Sequence, residues 1–137
     1  MFPERVSQEE ETALIRLVAE VEADLQYVGL PVVQGGDCTA GRHVSSSSFV
    51  VFYDPSSDES GGVFVEWSLS PEIKGAIVAS PGLAIKRAIP LGSVSLEVMT
   101  NAADRILAAA GWGTDQEAVG VHESSIRVFR ESDLVGE

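Results

Sequence analysis

The segment from Ser7 to Val28 constrains the fold most, because its apolar residues recur at the spacing of an α-helix. At about 3.6 residues per turn they form one stripe, made of Leu14, Leu17, Val18, Val21, Leu25 and Val28. Ser7 and Glu10 have the spacing of a capping box, which satisfies free backbone N–H groups at a helix start. Gly29 and Pro31 favour an end directly after the stripe. We therefore expect a helix over Ser7–Val28 with one face packed on the rest of the protein.

Two later runs have the composition of β-strands. Phe49–Tyr53 is rich in β-branched and aromatic residues. Val63–Leu69 alternates, which predicts a half-buried strand whose core face carries Val63, Val65, Trp67 and Leu69. The stretch 54–62 between the runs is polar and contains no basic residue. Together the two runs predict an antiparallel hairpin with a long loop.

A third alternating run, residues 125–130, predicts a strand with Ile126 and Val128 in the core and Arg127 outward. Val32–Val33 is interpreted as a short edge strand, and Val119–Val121 as a short partner of the last one. Gly35 and Gly36 predict a turn.

A second long helix is predicted from about Ser95 to Ala110, with a stripe of Leu96, Met99, Ala103, Ile106, Leu107 and Ala110. Gly111 is expected to end this helix. Before it, Ser70–Glu72 resembles a helix start, and Leu83–Ala88 predicts one further turn that Pro90 ends.

The order of helix, strand, strand, helices and strand predicts an α+β fold. A chain of 137 residues fits one domain over residues 1–137. The economical arrangement is a two-layer sandwich, with a long N-terminal helix and a second long helix on one face of a small, mainly antiparallel sheet. The strand order stays open.

Charge and composition exclude several classes of function. Nine basic residues against 21 acidic ones give a net charge of -12 at pH 7. Nucleic acid and anionic membrane surfaces are therefore not expected as partners, since both require clustered cations. No apolar run approaches the roughly 20 residues of a membrane span, and the start Met1–Arg5 lacks the form of a secretory signal. The prediction is a cytoplasmic protein.

The residues that carry catalytic or metal chemistry form no convincing pattern. Cys38, His43 and His122 do not have the paired, tight spacing of a zinc site, and Asp37 beside Cys38 opposes a thiolate. The glycine pairs Gly35–Gly36 and Gly61–Gly62 lack the residues of a phosphate-binding loop. We predict no catalytic residue, no metal and no cofactor.

The remaining signal is the uneven distribution of acidic residues. It suggests a non-enzymatic protein–protein interaction module, similar to a bacterial immunity protein, antitoxin or dedicated chaperone, that binds a basic or amphipathic protein partner. The predicted binding residues are Glu9, Glu10, Glu20, Glu22, Asp58, Glu59 and Trp112. Trp112 follows the second helix, where its ring either packs back onto the helix or is an exposed anchor. The alternatives are a small-molecule-binding or hydrolytic domain with a pocket between sheet and helices, and a homodimer.

Overall fold

The computed structural model describes residues 4–38, 47–58, 61–69, 71, 83–116 and 125–130. Their elements are α1 (Gln8–Tyr27), β1 (Val32–Asp37), β2 (Ser48–Asp54), β3 (Gly62–Ser68), α2 (Leu83–Ala109), β4 (Trp112–Asp115) and β5 (Ile126–Arg130). The strands form one mixed sheet in the order β1-β2-β3-β5-β4. Among these described strands, β1 and β2 pair in parallel, and the other neighbours are antiparallel. The predicted α+β class, with an N-terminal helix and a second long helix, is confirmed.

Helix α1 begins as its capping residues predict. The Ser7 Oγ accepts a hydrogen bond from the Glu10 backbone N–H at 3.2 Å and donates to Glu10 Oε1 at 3.1 Å. The predicted stripe faces the core through Val18, Val21 and Leu25, which are buried, and through Leu14 and Leu17, which are partly buried. The prediction was wrong for Val28, which lies beyond the last turn at the helix cap and is 53% exposed.

The main core lies between the sheet and both helices. In the β2–β3 hairpin, Phe49 pairs with Trp67, Val51 with Val65, and Tyr53 with Val63. These side chains meet the buried residues of α1, and Ala103 and Leu107 of α2, in one apolar cluster. Ile126 and Val128 of β5 are buried in the same cluster, which confirms the face predicted for that strand.

The opposite face of the sheet is also apolar and buried. Val50, Phe52 and Phe64 form a second cluster there, with Cys38 partly buried against it. The Phe52 and Phe64 rings stack with centroids 5.6 Å apart, and the Arg127 guanidinium lies 5.5 Å from the Phe64 centroid. The prediction of a half-buried strand was therefore wrong at Phe64, because this alternate face is a second core.

Strand β1 runs further than predicted. Gly35 and Gly36 lie within it, at a bulge opposite β2, where a turn was expected. Gly36 has a φ of +63°, and a Cβ on Gly35 would come within 2.7 Å of Val50 Cγ1. Close packing therefore requires glycine at position 35, and a left-handed backbone requires it at position 36. A pair of glycines in the sequence does not distinguish such a bulge from a turn.

Helix α2 continues through Pro90, so the predicted break there and the start near Ser95 were wrong. Proline removes one backbone N–H, but Pro90 lies near the beginning of a long helix whose later turns pack on the core. Gly111, with a φ of +99°, follows the helix end as predicted.

Strand β4, directly after Gly111, was not predicted. The predicted helix start at Ser70–Glu72 and the predicted short strand Val119–Val121 involve residues outside the described ones, namely Ser70, Glu72 and Val119–Val121. No described helix is long and apolar enough to cross a membrane.

Candidate functional site

The hairpin loop and the start of α1 lie at the same end of the molecule. The Val6 N–H donates to the Pro55 carbonyl oxygen at 2.7 Å, and the Ser57 N–H donates to the Glu4 carbonyl oxygen at 2.6 Å. These bonds place Asp58 beside the segment that leads into α1. We call the exposed carboxylates of this region, Glu4, Glu9, Glu10 and Asp58, the acidic end. Of the predicted binding residues, Asp58 lies in the loop joined to this segment, and Glu9 and Glu10 are exposed in the first turn of α1.

The other predicted acidic residues lie elsewhere. Glu20 forms an ion pair with Arg130 of β5. Glu22 points about 160° away from Glu20 around α1, since each residue turns the helix by about 100°. It is half-buried, and this burial raises the pKa of its carboxyl above the ordinary value. Glu59 lies outside the described residues.

A compact polar cluster lies next to the acidic end. Arg5 donates from Nε to Glu11 Oε1 at 3.1 Å, and from Nη2 to Glu11 Oε2 at 2.7 Å and to Asp37 Oδ2 at 2.9 Å. The Tyr53 hydroxyl donates to Glu11 Oε2 at 2.7 Å. We call Arg5, Glu11, Asp37 and Tyr53 the Arg5 cluster. It joins the segment before α1 to the ends of β1 and β2.

The electrostatics of the Arg5 cluster indicate a structural role. Hydrogen bonds from Tyr53 and then from Arg5 lower the pKa of the Glu11 carboxyl. The bond to Glu11, together with burial, raises the pKa of Tyr53 to about 12. At neutral pH the Glu11 carboxyl is therefore ionised and the Tyr53 hydroxyl is protonated, and the hydroxyl donates its hydrogen bond to the carboxylate. A general acid or base would instead need a pKa near neutrality and access to a substrate.

We expect the Arg5 cluster to make stability fall at alkaline pH. Because the folded pKa of Tyr53 is about 12 against an ordinary 10.0, the folded state holds the phenolic proton more tightly than the unfolded state. The stability from this bond is fully present below about pH 10 and is lost as the pH rises towards about 12. Denaturant unfolding of wild type and Tyr53→Phe over this range should show a difference in unfolding free energy that shrinks with pH. Tyr27→Phe, at a 91% exposed position, is the control. An equal alkaline loss in wild type and Tyr53→Phe would contradict the assignment.

Trp112 lies in a groove between the end of α1 and strand β5. Its indole Nε1 donates to Asp24 Oδ2 at 2.7 Å, and the side chain is only 7% exposed. The Arg130 guanidinium lies 5.3 Å from the ring centroid while it pairs with Glu20. The groove has a volume of about 480 Å³. Trp112 is therefore buried and joins α1 to β4 through Asp24, whereas the packing considered from the sequence was onto the second helix.

An apolar pocket lies between α1 and the sheet. Leu14 and Leu17 form its helix side, and Val63 and Val128 form its sheet side. Asp115 and Arg127 also line it, and its volume is about 610 Å³. This is within the size range of small-molecule sites, which are mostly apolar with a few polar groups.

The described residues contain no group of three or more His, Cys, Asp or Glu side chains that could hold a metal ion. His43 and His122 lie outside the described residues.

No family model, curated protein or solved structure matches this chain. The Arg5 cluster was not predicted, and a pocket between sheet and helices was given only as an alternative, without its lining residues. The members of both are far apart in sequence and carry no motif.

Proposed function

We propose that this protein is a non-enzymatic interaction module that binds a basic surface of another protein through its acidic end. The observation that supports this is that backbone bonds join the hairpin loop, which carries Asp58, to the segment that carries Glu4 and leads into the first turn of α1 with Glu9 and Glu10. Arg5, a cation beside them, is ion-paired with Glu11 and Asp37. An immunity protein, an antitoxin or a dedicated chaperone would use such a surface.

Carboxylates in this position act mainly on the rate of association. An acidic region attracts a cationic partner over a distance that salt limits to about 8 Å at physiological ionic strength. Glu9 and Glu10 also lie in the first turn of α1, where they interact favourably with the helix dipole. A test must therefore separate association from a small loss of helix stability.

Neutralising the acidic end should slow association without unfolding the protein. The variant is Glu9→Gln with Asp58→Asn, and the control is Glu97→Gln with Asp115→Asn, which removes the same charge from two exposed residues in a different part of the chain. Partners would first be captured from source lysate at low and high salt, and association rates of the identified partner would then be measured by stopped flow. We expect the rate to fall for the variant and with salt, but to change little for the control.

Thermal unfolding of both variants would accompany these measurements, since exposed charges contribute little to folding. Equal association rates for all three proteins at both salt concentrations would leave the acidic end with no role beyond solubility. That result would end the proposal.

The apolar pocket supports a second candidate function, the binding of a small apolar molecule between α1 and the sheet. The supporting observation is the lining by Leu14, Leu17, Val63 and Val128. Native mass spectrometry of the purified protein distinguishes the two candidates, because a small-molecule carrier should retain a ligand of defined mass. A Leu17→Trp variant, which fills the pocket, should lose that mass and keep the partner association rate.

A further inference from the structure

Helix α2 carries a second surface, distinct from the acidic end, with a different chemistry. Leu91, Val94 and Val98 are 54%, 55% and 54% exposed, although each is a large apolar side chain. They follow one another at spacings of four and three, so they lie in one row on the outer side of the helix. A row at this spacing is the seam on which a second helix packs in a coiled coil.

The same spacing continues to a basic residue at each end of the row. Arg87 lies four residues before Leu91, and Arg105 lies seven residues after Val98, with Asn101 between. Both arginines are exposed and have no ion pair with any residue that the structure describes. We call Arg87, Leu91, Val94, Val98 and Arg105 the α2 seam. In a chain of net charge -12 it presents an apolar row with a positive charge at either end.

A second copy of this chain is a poor occupant of the α2 seam. Parallel pairing of two copies would place Arg87 on Arg87 and Arg105 on Arg105. Antiparallel pairing would place Arg87 of one copy against Arg105 of the other, or, in the register one heptad away, against Val98. Each arrangement opposes like charges or buries a charge without a partner, and both are unfavourable.

We propose that the α2 seam binds an amphipathic helix of another protein, one whose apolar row has an Asp or Glu at each end. The apolar row fits between Leu91, Val94 and Val98, and the two carboxylates pair with the arginine guanidinium groups. Arg87 and Arg105 are 18 residues apart, so at about 1.5 Å per residue the two acidic positions are about 27 Å apart on the partner helix. This surface is independent of the acidic end and selects the opposite charge.

A synthetic helix tests the α2 seam directly. The probe is a fluorescent amphipathic peptide of about three heptads, with leucine at the seam positions and glutamate at both ends. A matched peptide has lysine in place of the terminal glutamates. Fluorescence anisotropy should show that wild type prefers the glutamate peptide by about threefold or more, since two exposed ion pairs favour it. Arg87→Glu with Arg105→Glu should reverse this preference.

Val94→Lys should weaken binding of the glutamate peptide by at least about tenfold, because it places a charge in the apolar row. Val28→Lys is the control, since Val28 is equally exposed but lies at the C-terminal cap of α1. Circular dichroism would establish that each variant folds. The proposal is wrong if wild type binds neither peptide, binds both equally, or binds as well after Val94→Lys. It is also wrong if wild type sediments as a dimer that Val94→Lys dissociates, because the occupant would then be a second copy.

Discussion

Replacing Phe64 with alanine is expected to lower the free energy of unfolding by about 3–5 kcal/mol. The Phe64 side chain is fully buried on the sheet face opposite the helices, stacked on Phe52. Its removal would leave a cavity in the second core and would also take away the ring beneath the Arg127 guanidinium. A loss of this size is a large part of the roughly 5–15 kcal/mol that stabilises a typical domain.

Equilibrium denaturation in urea would measure this loss against two related variants. Phe64→Leu retains most of the volume and should cost less than about 1.5 kcal/mol. Val98→Ala, at an exposed position on α2, should change stability by less than about 0.5 kcal/mol. If Phe64→Ala cost no more than Val98→Ala, the second face of the sheet would not be a core.

Trp112→Ala is expected to destabilise the protein by a similar amount, about 3–5 kcal/mol. The ring is buried where α1, β4 and β5 meet, and its N–H satisfies the Asp24 carboxylate. Trp112→Phe keeps an aromatic ring but leaves Asp24 without this donor, which should cost about 1–3 kcal/mol. The difference between the two variants separates ring packing from the hydrogen bond.

A double-mutant cycle of Trp112→Phe with Asp24→Ala isolates the pair, and its coupling energy should lie within about 0.5–3 kcal/mol. Trp67 remains as a fluorescent reporter of unfolding in these variants. The association rate with a partner of the acidic end should not change in Trp112→Phe. Trp112 would instead be a binding anchor if Trp112→Phe left stability unchanged and abolished that association.

Several elements could be predicted because their signals are local. The Ser7 cap and the stripe through Val18, Val21 and Leu25 depend on residues within a few turns of one helix. The alternation of Val63 and Val65 similarly identifies the core face of β3. Such patterns predict element type and the face that is buried, because both follow from backbone geometry over short distances.

Elements that depend on distant contacts could not be predicted. The parallel pairing of β1 with β2, the continuation of α2 through Pro90 and the pairing of β4 with β5 are all decided by packing. The second core could not be predicted for the same reason, because the sequence does not show whether the Phe64 side of the sheet is covered. The Arg5 cluster brings together Arg5 and Tyr53, which no short motif connects.

The candidate binding surface, like the fold, could be predicted only in part from the sequence. The amino-acid sequence by itself determined the excess of negative charge and its concentration in α1 and the hairpin loop. Tertiary structure decided the surroundings of those carboxylates: it paired Glu20 with Arg130, partly buried Glu22, and joined the hairpin loop that carries Asp58 to the segment before α1. The reason is physical, since net charge adds over residues wherever they lie, whereas a binding surface depends on distances that only backbone contacts such as Ser57 to Glu4 establish.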